Sequence, residues 1–194
     1  MIYMYIGPSS SGKDTFYKYT LDNYYVKPII LNTTRPKREN EIDGINYYFT
    51  SKNKLDEMDK NKELIERRDY NTKYGIWSYA TSNKNIDLST NYITLNTWDG
   101  YQKFIDYYGN NVVVPIYFDT DEYIRLQRAI SREKLEKEPK YDEVCRRFLA
   151  DKIDYTKDKI NKYLPYIINN NGSKLETECE INNILDNKLI RKRH

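Results

Sequence analysis

Two glycines and a lysine give Gly7-Pro8-Ser9-Ser10-Ser11-Gly12-Lys13 the spacing G-x-x-x-x-G-K. Glycines let consecutive backbone N–H groups curl around phosphate oxygens, and the N-terminus of a following helix adds positive potential. Lys13 then reaches the β- and γ-phosphates of a nucleoside triphosphate. The plain alternative is a Gly/Ser turn with an exposed lysine. An apolar run before the loop and a helical pattern after it favour the phosphate loop. The next position departs from the usual motif, where a Ser or Thr hydroxyl ligates Mg²⁺. Here it is Asp14, followed by Thr15. A carboxylate is a stronger Mg²⁺ ligand but repels phosphate. Asp14 either binds the metal, directly or through water, or caps the helix N-terminus.

A phosphate loop needs a strand to deliver it and a helix to receive it. Short apolar or β-branched runs at Ile2–Ile6, Val26–Leu31, Tyr92–Leu95, Val112–Phe118 and Tyr166–Ile168 are bounded by Gly, Pro, Asn or Asp and read as buried strands. Helices are expected over Lys13–Asp22, Ser82–Leu88, Trp98–Tyr107, Asp121–Lys137, Asp142–Tyr163 and Lys174–Ile190. Alternation of this kind predicts an α/β fold with a parallel sheet flanked by helices. Between Asn32 and Ala80 the alternation stops, and short tyrosine-rich runs at Ile45–Phe49, Glu63–Arg67 and Tyr74–Tyr79 take over. They predict a small mixed insert, residues 32–80, with one helix at Lys52–Asn61. Residues 1–31 and 81–194 then form the core, and the charged stretch around 129–142 forms a short lid.

Composition excludes several chemistries. The only histidine is His194, so no histidine-based triad or proton shuttle is expected. Cys145 and Cys179 have no metal-ligand spacing, which predicts reduced thiols. A net charge of +3 gives no argument for nucleic acid, and no stretch has the length of a membrane helix. The opening residues lack a basic lead and read as a strand instead of a signal peptide, so the expected location is the cytoplasm.

Further along, Thr33-Thr34-Arg35-Pro36-Lys37-Arg38-Glu39-Asn40-Glu41-Ile42-Asp43-Gly44-Ile45-Asn46-Tyr47-Tyr48-Phe49 resembles the TTR-x-x-R-x-x-E-x-x-G-x-x-Y-x-F segment of guanylate kinases. Glu63-Leu64-Ile65-Glu66 with Lys73-Tyr74-Gly75 is similar to a second motif of that family. Weaker echoes follow at Arg128, Arg132, Arg147 and Ile167-Ile168-Asn169-Asn170. The resemblance implies a P-loop core with a monophosphate-binding insert and ATP-dependent phosphorylation of GMP to GDP. It implies ATP contacts at Gly7, Pro8, Ser9, Ser10, Ser11, Gly12, Lys13, Asp14, Thr15 and Asn169, and Mg²⁺ as cofactor, for which Asp14 is the candidate ligand by its own chemistry, with the helix-cap role still open. Arg35, Arg38, Tyr47 and Tyr74 would hold the acceptor phosphate, and forked guanidinium donors suit that task. Glu66 would accept hydrogen bonds from the base, although a salt bridge to Arg67 or Arg68 is its plain alternative. Lys13, Arg35, Arg128, Arg132 and Arg147 would neutralise the transferring phosphoryl group. The partners implied are small nucleotides, with a monomer or weak homodimer and neither nucleic acid nor membrane.

Some positions depart from the family pattern. Leu31, Ile76 and the Leu95/Thr97 pair stand where polar or acidic groups are usual, which weakens the expected base contacts. A Gly-Lys-Asp loop with a non-acidic fourth segment also occurs in ribose 1,5-bisphosphate phosphokinases, the second enzymatic reading. A guanylate-kinase-like binding module without catalysis is the third.

Overall fold

The computed structural model describes residues 1–39, 41–72 and 75–192, without the side chains at 72 and 85. The first strand, β1 (Ile2–Ile6), is buried at every position. It lies parallel between β7 (Tyr92–Asn96) and β8 (Val113–Asp119), so both its faces must be apolar. With β2 (Lys27–Pro28) at one edge and β9 (Tyr166–Asn169) at the other, the sheet order is β2-β7-β1-β8-β9. Ile6 is in register with Asn96 and Tyr117, and Asp119 with Asn169. The carboxyl ends of these strands therefore open along one rim, where ligands of parallel sheets sit.

Two apolar layers cover the sheet. One gathers Ile2, Met4, Ile6, Trp98, Tyr101 and Phe104 beneath α3 (Trp98–Tyr108). The other gathers Tyr3, Tyr5, Phe16, Phe118, Ile168 and Ile181 beneath α1 (Lys13–Asn23) and α7 (Lys174–Leu185). In α1 the buried residues are Phe16 and Thr20, one turn apart, so a single stripe faces the sheet. The Thr20 hydroxyl bonds to the Phe16 carbonyl and to Tyr5 Oη, which satisfies its burial.

The insert is a second, four-stranded sheet ordered β4-β3-β6-β5, built from β3 (Asn32–Thr33), β4 (Tyr48–Phe49), β5 (Leu64–Thr72) and β6 (Gly75–Ser82). It is mixed: β3 pairs parallel with β4 and antiparallel with β6. Its helix, α2 (Lys52–Lys60), starts where the Ser51 hydroxyl accepts from the Lys54 N–H.

Three expected elements come out differently. The helix expected over Ser82–Leu88 is only a 3-10 turn, Asn83–Asn85. Beyond it the Asp87 carboxylate accepts from the Ser89 N–H and hydroxyl, a local bonding pattern that competes with helix. The helix expected over Asp142–Tyr163 divides into α5 (Tyr141–Asp154) and α6 (Lys157–Tyr163). The Thr156 hydroxyl starts the second piece by accepting from the Lys159 N–H. The strand expected over Val26–Leu31 is paired in sheet register only at Lys27–Pro28; the Lys27 and Ile29 N–H groups donate to Asn91 O and Ile93 O, and Pro28 between them takes an edge position that needs no donor.

Candidate active site

The turn after β1 adopts a backbone only its sequence allows. Gly12 has φ of 91°, and a Cβ there would run into Asn170 Nδ2. The Ser11 N–H bonds to Pro8 O at 3.2 Å, and the Ser11 carbonyl accepts from Thr120 Oγ1 at 3.1 Å and Asn170 Nδ2 at 2.6 Å. Residues just past the ends of β8 and β9 thus fix the loop from outside, leaving its inner side to the cleft. Lys13 Nζ donates to Pro8 O at 3.0 Å. Burial pulls the Lys13 ammonium below its ordinary pKa, while Asp14 and Asp151 oppose that shift.

A polar cleft opens over this loop, lined by Ser9, Ser10, Lys13, Asp14, Arg132 and Arg147 among others. Arg132, near the end of α4 (Glu122–Glu133), donates from Nη2 to Ser10 Oγ at 3.0 Å. Arg147, on α5, is held by Glu143: its Nε lies 2.7 Å from Oε1, and Arg146 bonds to the same carboxylate. Those two guanidinium groups hold the Glu143 carboxyl at a pKa of about 2. Arg128 points elsewhere, donating from Nη2 to the Asn170 carbonyl at 3.2 Å. Asn169 likewise lies outside the cleft lining, and its N–H bonds to Glu180.

Of the cleft residues not singled out from the sequence, Arg125 and Asp151 bear directly on the loop. Arg125 is buried and donates to Thr120 O and Ser9 O. Asp151, its ion-pair partner at 3.4 Å, also accepts from the Ser9 N–H at 2.8 Å. The available signal was helical spacing. Arg125 precedes Arg128 and Arg132 at i, i+3 and i+7, and Asp151 follows Arg147 at i+4.

A wider cleft runs from Gly7 and Lys13 to the insert, where Leu31, Tyr47, Arg68, Tyr70, Trp77 and Tyr79 line it. Tyr47 stands at its wall, in edge contact with Tyr79, and burial raises its phenol pKa. Arg35 is buried behind it: Nη1 and Nη2 grip Glu41 at 3.0 and 2.6 Å, and Nε donates to Tyr79 Oη. Arg38 is exposed, and its backbone N–H bonds to the same Glu41. Arg35, Arg38 and Glu66 are outside the lining of both clefts. Glu66 is paired with Arg68, the alternative weighed above. Tyr74 lies outside the described residues, as does Asn40. Of the departing positions, Leu31, Leu95 and Thr97 line the wide cleft and Ile76 is exposed.

A parallel sheet with the Gly7–Lys13 loop at its carboxyl rim, facing a separate mixed sheet across a shared cleft, defines an α/β protein of P-loop architecture with a mixed-sheet insert. Comparison with known proteins narrows the class. A family model for guanylate kinase matches residues 2–92. The guanylate kinase of Clostridioides difficile (strain 630) is 42% identical over 71 residues, 36% of this chain and 35% of that protein. That of Helicobacter hepaticus is 31% identical over 134 residues, 66% of this chain and 64% of that protein. These alignments span about a third to under two thirds of the relatives' length. A crystal structure of guanylate kinase from Anaplasma phagocytophilum shares the fold, with a TM-score of 0.60 at 23% identity over 98% of this chain and 86% of that one. Over these stretches the chain is similar to guanylate kinases.

Proposed function

We propose that this chain is an ATP-dependent nucleoside monophosphate kinase that converts GMP to GDP. The observation that carries this reading is the wide cleft joining the phosphate loop to the insert, which has room for a donor at one end and an acceptor at the other. The named guanylate kinase relatives support the same activity; neither the sugar-phosphate kinase nor the binding module gains support from them.

Lys13, with Arg132 and Arg147 approaching from α4 and α5, would neutralise charge on the transferring phosphoryl group. Arg125 would hold the loop through Ser9 O. The acceptor phosphate is already an anion, so no general base is needed, and catalysis rests on positioning and charge neutralisation. Arg35, Arg38, Tyr47 and Tyr74 are the proposed acceptor-phosphate group. Arg35 would have to exchange Glu41 for the phosphate, and that exchange keeps its fork occupied by an anion. The donor set fits Mg²⁺. Asp14 lines the cleft beside Lys13 and Asp151, in the first turn of α1 with its charge close to that of Lys13. Among the described residues no group of three or more potential ligands stands ready for a metal. Asp14 would hold the ion together with the nucleotide phosphates, whose charge it would neutralise.

Residues 1–31 and 81–194 would act as the core, 32–80 as the acceptor-binding unit and about 129–142 as the lid. Among the described residues no helix is long and apolar enough to cross a membrane; a cytoplasmic location and a monomer or weak homodimer belong to the proposal. The test is ADP release with Mg²⁺ and ATP across GMP, dGMP, the other monophosphates and ribose 1,5-bisphosphate. Turnover with GMP is expected. Turnover with the sugar phosphate alone, or with nothing, overturns the proposal.

A further inference from the structure

The two helices that bring cations to the cleft are seated by charge. Among the described residues, neither α4 nor α5 buries an apolar side chain; the one buried residue on each is Arg125 and Asp151. On α5 the aliphatic side chains Leu149 and Ile153 are exposed. Arg125 Nη1 lies 3.4 Å from Asp151 Oδ2, and both residues hold Ser9. Asp151 accepts from the Ser9 N–H at 2.8 Å through Oδ2 and from the Ser9 hydroxyl at 3.4 Å through Oδ1. Arg125 Nη1 donates to the Ser9 carbonyl at 3.4 Å, and its Nε donates to Thr120 O. One ion pair, drawn from two helices, thus grips both backbone groups of a residue in the Gly7–Lys13 loop.

A buried ion pair stabilises a fold little more than an apolar pair of similar size, because desolvation offsets the attraction. What it adds is direction. Apolar burial is non-directional, whereas hydrogen bonds to the N–H and carbonyl of one residue fix where a helix sits along the loop. Helical spacing carries that register into the cleft. Arg147 lies four residues before Asp151, and Arg132 seven after Arg125, so each cation shares a face with its helix's anchor. All four line the cleft over the loop, and Arg132 already reaches Ser10 Oγ at 3.0 Å.

We propose that Arg125 and Asp151 are positioning residues, a pin that sets Arg132 and Arg147 at the height above the loop where a transferring phosphoryl group needs them. The inference rests on the nucleoside monophosphate kinase reading above. Displacement of such groups by about 1 Å is enough to cost roughly a hundredfold in rate. Asp151 acts through Arg147, and Arg125 through Arg132 and Ser9; neither needs to touch the nucleotide.

Removing one partner alone strands the other charge in a buried place and risks unfolding, so the experiment replaces both. Arg125→Met/Asp151→Leu, made in the full chain, is expected to melt at or above the parent. Its kcat should nevertheless fall by at least about tenfold, with the GMP KM within about threefold of the parent's. A second substitution tests the route. Arg147→Met should cost the parent about tenfold or more in kcat, but under about threefold in the double variant, where Arg147 is already misplaced. A merely structural loss would scale both backgrounds equally and leave the Arg147 factor intact. Parent-like kcat in the double variant, or the same Arg147 factor in both backgrounds, overturns the inference. If the parent makes no ADP from any monophosphate, the kinase reading falls separately, and calorimetry with ATP and Mg²⁺ decides the pin. ATP affinity at least about tenfold weaker in the double variant then supports it, since displaced guanidinium groups lose their charge-assisted phosphate contacts, and unchanged affinity overturns it. If the parent binds no ATP, both fall.

Discussion

At the residue scale, the proposed phosphate chemistry rests on one loop and its lysine. Lys13 is held toward the cleft by Pro8 O and flanked by Asp14 and Asp151, so its charge is desolvated yet partnered. Groups placed where charge develops act on the transition state more than on the ground state. Lys13→Met should therefore lower kcat by roughly a hundred- to a thousandfold, the usual effect of removing one such donor, with a smaller change in the GMP KM. Steady-state kinetics checks it, and a raised KM with kcat unchanged would mean that Lys13 only binds. The loop's spacing made Lys13 legible without coordinates. Arg125 and Asp151 were less legible, because a charged helix face reads as solvated until another helix packs over it.

At the element scale, α5 delivers both cations and acids to the cleft. Glu143 braces Arg146 and Arg147 through i+3 and i+4 spacing, so the helix itself sets how far Arg147 reaches. Its carboxyl pKa is lowered from 4.5 to about 2 in the folded state. A lowered folded-state pKa means that the stabilisation is present above 4.5 and lost as pH falls toward 2. Glu143→Gln should then narrow the stability gap between the two proteins as pH is lowered from 5 to 2, the direction given by proton linkage. Urea melts across that range measure it; a gap that does not change with pH would show that the brace contributes nothing. The break between α5 and α6 sets where the helix carrying Arg147 ends. Thr156, its signal, is one hydroxyl in a stretch whose charged pattern runs on unbroken, so the sequence reading passed through it.

On the scale of the whole molecule, the wide cleft lies between two sheets with separate strand ladders. Ligands seated there would tie the sheets together, and binding to the folded state alone raises its stability. ATP with Mg²⁺ and GMP, at about a hundred times its dissociation constant, should add about 3 kcal/mol and raise Tm by about 5–10 °C for a chain of this size. Thermal melts with each ligand alone and with both measure the effect. Additive shifts would show two independent sites, whereas a larger joint shift would show closure coupling them.

The sequence alone determined the parallel core, because buried strands bounded by turn residues and separated by amphipathic helices have few other arrangements. It determined the phosphate loop too, since the glycines at 7 and 12 answer local backbone and steric demands. Only the tertiary structure decided which charges meet. Arg128 and Arg132 share a helix face on paper, yet Arg132 reaches the loop and Arg128 the Asn170 carbonyl. Glu66 and Arg68 are two letters of one strand, and only the packing shows that Glu66 is buried beside Thr81 while Arg68 lines the cleft. The reason is physical: local patterns fix backbone geometry within a few residues, while the partner of a charge is set by packing between distant segments.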